Sequence, residues 1–283
     1  MISTGELLRR ARAGKYAIGA FNVYNSEGVT AVIRAAEELD SPVILQVLPS
    51  ALALGGMPIV ALCRAAAKTS RIPAAVHLDH CPDEQLILST LENKISSVMA
   101  DGSKLPFADN IAFTRKITEQ AHEVGAEVEG ELGCLSGSED GMSIYEYEEQ
   151  LTRPDQAKEF VRQTNVSALA VCIGNRHGKY LRPPKLDFPR LEAIAKEVVI
   201  PLVLHGTSGL QDDLVARAIS CGVCKFNVNT EIRTAYLETC ANSFKGGSVE
   251  LVDLMASVIS AMKEKISAQI LRFGSTHAAR AYR

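Results

Sequence analysis

Eight short apolar runs, each followed by a longer stretch with helical periodicity, divide this chain, and that alternation restricts it to very few folds. The runs are AIGAFNV (17–23), PVILQV (42–47), PAAVHL (73–78), ISSVMAD (95–101), EVEGEL (127–132), ALAVCI (168–173), PLVLHG (201–206) and VCKFNV (223–228). Several are apolar almost throughout, as parallel strands covered on both faces must be. Between them lie amphipathic segments such as SEGVTAVIRAAEEL, NIAFTRKITEQAHEVG and DDLVARAISCG, several opened by Ser, Asp or Asn and closed by Gly.

Strict strand–helix alternation carried to eight predicts an α/β fold: one (β/α)₈ barrel, a single domain over 1–283 with extra C-terminal helices. The length of 283 residues agrees with the roughly 250 typical of such barrels. A doubly wound open sheet would place a Gly-rich phosphate loop after its first strand, and AFNVYNSEG at that position has no G-x-G-x-x-G. Two regions break the alternation. Residues 133–152 form a polar insertion after the fifth run, suited to a mobile active-site loop, and 237–265 read as a helical tail for barrel closure or subunit contact.

A net charge of -3, with Lys and Arg dispersed, gives no footprint for nucleic acid or anionic lipid. There is neither a signal-peptide pattern nor an apolar run of ~18 residues, so membrane spanning is not expected. The seven Cys are odd in number and mostly sit in or beside apolar runs, which favours reduced thiols in a cytoplasmic setting. Cys221 and Cys224 form a C-x-x-C, but no second pair completes a zinc site.

Active sites of such barrels lie at the C-terminal ends of the strands. Four of the six His (His77, His80, His177, His205) fall in or just past the ends of the third, sixth and seventh runs. The same rim collects Asn22, Gln46, Asp79, Asp101, Ser103, Glu131 and Asn227. A lone His at a strand end is more often a structural residue than a ligand, but three on separate strands of one rim suit a catalytic zinc with an open position. His122, within a helical segment, and His277, in the tail, read as surface residues. Gly178 after His177, H-G-T-S-G at 205–209 and N-V-N-T at 227–230 put small residues and hydroxyls where barrels often hold phosphate.

The motifs HLDH (77–80), VMADGSKLPFADNI (98–111), EGELGCLSGSEDG (129–141), ALAVCIGNRHGKY (168–180), PLVLHGTSGL (201–210) and KFNVNTEIR (225–233) resemble those of the class II ketose-bisphosphate aldolases, in order and spacing along nearly the whole chain. The resemblance implies a Zn²⁺ ion on His80, His177 and His205, with Asp101 and Glu131 able to hold the metal in a second position and His77 outside the ligand set. Asp79 is then the acid that protonates the aldehyde oxygen in condensation. Glu139 is the base that takes the C3 proton of dihydroxyacetone phosphate, and Asn227 a contact to the enediolate.

Gly178, Gly206, Thr207, Ser208, Asn229 and Thr230 fall in the substrate and phosphate site, where a monovalent cation, Na⁺ or K⁺, often assists. Arg233 matches a residue that reaches the distal phosphate in a neighbouring subunit, implying a homodimer or homotetramer; its plain reading is a helix-surface Arg. The expected activity is zinc-dependent cleavage of a phosphorylated ketose, of fructose or tagatose 1,6-bisphosphate type, to dihydroxyacetone phosphate and an aldehyde. Thr207, in place of the family's usual Gly, Leu48, in place of a small residue, and Asn229, where branches carry Asp or Ala, leave open another phosphorylated ketose or a deoxy-ketonate.

Other readings remain. Lys225 is a candidate for the Schiff base of a class I aldolase, which would leave the rim His unexplained. A metal-dependent hydrolase would not need a phosphate site beside an acidic loop. A non-catalytic accessory subunit would be expected to have lost its ligands, and all three are present.

Overall fold

In the computed structural model, which describes residues 2–133, 151–176, 178 and 184–282 and the backbone alone of 137–139 and 142–144, all eight apolar runs are strands of one closed parallel barrel. They are β1 (Ile18–Asn22), β2 (Val43–Val47), β3 (Ala74–Cys81), β4 (Ser97–Ala100), β5 (Glu127–Leu132), β8 (Ala168–Val171), β9 (Leu202–Leu204) and β10 (Val223–Val228). The barrel closes by in-register pairing of β1 with β10, from Ile18 opposite Lys225 to Phe21 opposite Val228. Within the insertion, β6 (Gly137–Glu139) and β7 (Met142–Ile144) form a separate antiparallel pair.

The wall is surrounded by α2 (Ser26–Glu38), α3 (Pro49–Gly55), α4 (Met57–Thr69), α5 (Glu84–Glu92), α6 (Phe107–Glu123), α7 (Pro154–Thr164), α8 (Phe188–Glu197) and α9 (Asp212–Ser220). α10 (Thr230–Ser243) and α11 (Leu251–Arg272) complete the ring, α11 lying along both α2 and α10. Among the described residues no single helix is long and apolar enough to cross a membrane.

Two apolar layers follow from the period-2 alternation of the strands. Outward residues such as Phe21, Leu45, Val76, Val98 and Phe226 pack under the helices. Inside, Ala20, Ile44, Ala75, Ala168, Ala170 and Val203 make a second, smaller cluster. Four of these six are Ala, so the upper barrel has room for long polar side chains. The bottom is closed by α1 (Thr4–Gly14), which adds the fully buried Leu7, Leu8 and Ala11 to the inner cluster. Its entry is set by Ser3, which caps the Glu6 N–H, and by Glu127 at the foot of β5, which accepts from the Ser3 hydroxyl and the Gly5 N–H.

β3 is longer than the third run, continuing through HLDHC to Cys81. Its pairing with β4 shifts register between Leu78 and Cys81, and His80 takes φ +46°. A left-handed residue at a bulge redirects the side chains around it. Elsewhere glycine handles the close approaches: Gly206 has φ +66°, and a Cβ there would lie 2.0 Å from the Arg176 carbonyl oxygen. The loops after β8 and β9 are therefore pressed together, with Asn175 donating its side-chain amide to the His205 carbonyl at 3.0 Å.

Candidate active site

The rim carboxylate Asp79 is wholly buried and framed by three amides from different strands. Asn22 of β1 and Gln46 of β2 donate to Oδ2 at 2.9 and 3.3 Å, and Asn227 of β10 donates to Oδ1 at 3.0 Å. These bonds fix the plane of the carboxylate over the barrel mouth. Gln46 also bonds Asn22, at 3.3 Å, so the three amides form one network.

Because of the bulge, the next residue, His80, faces the same space. Its Nε2 lies 2.7 Å from Nδ1 of His205, and the two rings stand at 89° with centroids 4.5 Å apart. Asp79, His80 and His205 offer ligand atoms that all lie within 4.8 Å of one another; His80, Asp101 and Glu131 form a second such group. Each imidazole uses its outer nitrogen on a carboxylate. His80 Nδ1 is 2.9 Å from Asp101, whose other oxygen accepts from the Ser103 hydroxyl at 2.6 Å, and His205 Nε2 is 3.0 Å from Glu129. Paired imidazoles backed by carboxylates are the donor set that fits zinc, because the outer bond fixes which nitrogen faces the ion.

Electrostatics agree with that direction of hydrogen bonding. Burial pushes the His80 pKa down, but Asp79, Asp101 and Glu131 outweigh it and hold it well above the ordinary histidine value. Burial and the neighbouring His80 charge bring His205 down to about 4, so it is the neutral partner. Asp101 is held far below the usual carboxylate range, the cost of burial being overcome by His80 and Ser103. Glu131 moves the other way, raised by burial and then by the charge of Asp101. Two carboxyls flanking His80 thus differ in protonation because one has the hydrogen bonds and the other does not.

Below the rim, Glu129 and Lys225 form a buried pair at 2.9 Å. Burial would raise the Glu129 pKa, but the Lys225 charge and the bond from His205 hold it well below the usual range. His77, one layer down, has Nδ1 2.7 Å from Ser97 Oγ, and Ser97 in turn meets Thr4 of α1 at 2.7 Å. Lys225 is fully buried with its ammonium committed to Glu129, which argues against the Schiff-base reading.

The expected phosphate region gathers at the ends of β9 and β10. α10 begins at Thr230, just past the end of β10, and the Asn229 side chain makes no capping bond there; a helix start at the strand ends suits an anion. The Ser208 hydroxyl donates to Glu231 at 2.6 Å, already serving an anionic acceptor. Thr207 donates its hydroxyl to the Asn227 carbonyl at 2.7 Å, bracing β9 against β10, and its own carbonyl accepts from the Leu210 N–H at 3.1 Å. Asn229 accepts from the Tyr24 hydroxyl at 2.9 Å. Leu48 is buried at the start of α3, and Arg233 is half-buried on α10 beside Asn22 and Tyr24.

Comparison with known proteins settles what this rim belongs to. A model of the family described as "Fructose-bisphosphate aldolase class-II" matches residues 2–278. The chain belongs to the class II fructose-bisphosphate aldolase family. It is 42% identical over 246 residues, 87% of each chain, to the D-tagatose-1,6-bisphosphate aldolase subunit GatY of Klebsiella oxytoca. The solved structure of a putative fructose-1,6-bisphosphate aldolase from Coccidioides immitis superposes with a TM-score of 0.94 at 32% identity, covering 98% of both chains. The YdjI aldolase of Escherichia coli K12 gives 0.87 at 32% identity, over 99% of this chain and 100% of that one.

The aldolase thus brings together Asp79, His80, Asp101, Glu131, His205 and Asn227 as the sequence led one to expect. His177 and the side chain of Glu139 lie outside the described residues; the Glu139 backbone is in β6, and Gly178 has φ +83°. His122 and His277 are exposed, and the six described cysteines, Cys221 and Cys224 among them, are free thiols. Glu129, Asn175 and Tyr24 were not foreseen as site residues. Glu129 had a signal: charged residues spaced by two on an apolar strand, as in EVEGEL, point to one face of a wall that otherwise excludes charge.

Proposed function

We propose that this aldolase cleaves a ketose 1,6-bisphosphate of the fructose or tagatose type to dihydroxyacetone phosphate and an aldehyde such as glyceraldehyde 3-phosphate, using a zinc ion held by His80, His205 and His177. The observation that carries the reading is the 2.7 Å approach of His80 Nε2 to His205 Nδ1, with each outer nitrogen held by a carboxylate. Zinc, when bound there, supplies Lewis acidity toward the substrate carbonyl.

The chain's own residues supply the rest. In cleavage, Asp79 takes the proton of the hydroxyl that becomes the aldehyde oxygen as the carbon–carbon bond breaks, and it returns that proton in condensation. Its amide frame holds the accepting oxygen in place. Glu139 is assigned the proton at C3, so two carboxyls serve two protons from different directions. Asn227 spends its amide N–H on Asp79, and its Oδ1 has no partner among the described residues. Asp101 and Glu131, beside His80, are the residues for an alternate metal position.

Phosphate is assigned to the backbone of Gly178, Gly206 and Thr207, the Ser208 hydroxyl and the α10 start at Thr230. Asn229, steadied by Tyr24, stands where the distal half of the sugar is distinguished, and Arg233 is assigned to a distal phosphate in a dimer or tetramer. The six described cysteines are free thiols, which supports assigning the enzyme to the cytoplasm. Coupled detection of dihydroxyacetone phosphate from fructose and tagatose 1,6-bisphosphate and from single phosphates tests the assignment. Release from a bisphosphate, lost with chelator and restored by zinc, is expected; no triose phosphate from any ketose would overturn it.

A further inference from the structure

A neutral imidazole binds a metal through the nitrogen that lacks a proton, so the partner of the other nitrogen decides which geometry is possible. For His205 that partner is Glu129, a residue two positions below Glu131 on β5 and wholly inside the barrel. Its Oε1 takes His205 Nε2 at 3.0 Å, while Oε2 takes the Lys225 ammonium at 2.9 Å. A carboxylate accepts and does not donate, so Nε2 must carry the proton and the lone pair of His205 must lie on Nδ1. That nitrogen is the one 2.7 Å from His80 Nε2.

We propose that Glu129, clamped by Lys225, is a positioning residue for the metal centre: it fixes His205 in the one tautomer and ring orientation that present Nδ1 to the ion. This rests on the reading of His80 and His205 as metal ligands. A purely structural ion pair is a weaker account. Buried pairs of this kind generally stabilise a fold no better than apolar residues of the same volume, and the surrounding inner layer is Ala, Val and Ile. The pair is also not closed on itself, since one of its two carboxylate oxygens is given to the His205 ring. Lys225 offsets the charge of Glu129, keeping it an acceptor, and its own ammonium is out of reach of solvent.

The double variant Glu129→Gln, Lys225→Met removes both charges at nearly constant volume. A Gln amide can accept from or donate to Nε2, so the tautomer is no longer imposed. Two readouts separate positioning from folding: the imidazole ¹⁵N resonances of the metal-free full chain, and zinc affinity by competition with a chromophoric chelator, each on protein shown to be folded by its urea transition. The expected result is a single Nε2–H tautomer of His205 in the wild type, a mixture in the double variant, and zinc affinity about ten- to a hundredfold weaker.

Glu129→Asp keeps the charge opposite Lys225 but withdraws the carboxylate by one methylene, and it moves both readouts the same way if the double variant does not fold. Wild-type tautomer and wild-type zinc affinity in either folded variant would overturn the proposal. His205→Ala is the control for the underlying reading: if zinc binding survives it, the ligand assignment fails, whereas its loss there together with wild-type behaviour of the Glu129 variants sinks the positioning role alone.

Discussion

Asp79 and His80 are neighbours in sequence, and in a regular strand their side chains would point to opposite faces. They share a site because His80 adopts φ +46° where the β3–β4 pairing slips. The division of labour between them is testable. Asp79→Asn preserves an oxygen acceptor within the amide frame but cannot take the hydroxyl proton, so kcat for cleavage falls by about 10²- to 10⁴-fold with the urea midpoint little changed. Steady-state kinetics on folded variant checks this, and near-normal kcat would rule Asp79 out of proton transfer.

His77 responds to pH in its own way. Burial, reinforced by the Lys225 charge, takes its pKa down to about 3, against 6.5 in an open chain. Between those values the unfolded chain binds the proton and the native one does not. Its contribution to stability is therefore complete above pH 6.5 and is lost as the pH falls toward 3, by up to about 1.4 kcal/mol per pH unit. His77→Gln should flatten the fall of the urea midpoint between pH 6.5 and 5; an unchanged slope would show that His77 is protonated in the fold. At this scale the HLDH motif was legible because its residues are chemically conspicuous. For Glu129 the alternation in EVEGEL marks a face but not a role, because the role depends on Lys225, 96 residues away and brought near only by closure of the barrel.

Among the elements, the strands were readable to within a few residues, since a parallel strand buried on both faces is a short run of apolar residues whatever its surroundings. The third run was cut short at Leu78 because the polar DH that follows does not look like strand; only the bulge lets it remain one. The tail was less legible. It was expected over 237–265, whereas the structure has α10 at Thr230–Ser243 and α11 at Leu251–Arg272. α10 buries only Ile232 and Ala235, which is too few to leave an apolar stripe in the sequence.

Loop packing behind His205 can be probed at Gly206. Gly206→Ala meets both a positive φ and the Arg176 carbonyl. It should cost at least about 1 kcal/mol of stability, read from the urea midpoint, and should weaken zinc binding by displacing His205. Unaltered stability would mean that the loops after β8 and β9 are not held together as described.

For the molecule as a whole, the closed wall, the Ala-rich interior and the α1 plug leave one end of the barrel free to carry a polar ring. The family shares this frame, and in the function proposed above substrate choice is assigned to rim residues such as Asn229 and Arg233. Arg233→Ala should raise KM for a 1,6-bisphosphate by roughly tenfold or more, the scale of one hydrogen bond to a charged group, while leaving a 1-phosphate ketose little affected. Equal effects on both, by the same coupled assay, would return Arg233 to an ordinary surface role.

The central claim is that one zinc per chain, on the paired imidazoles, makes this barrel an aldolase. The most direct measurement is a zinc titration of chelator-stripped protein with dihydroxyacetone phosphate release as the readout. The account predicts negligible activity without metal, a linear return as zinc is added, and a plateau at one equivalent per chain. Full activity in the stripped protein, or a return that ignores stoichiometric zinc, would contradict it.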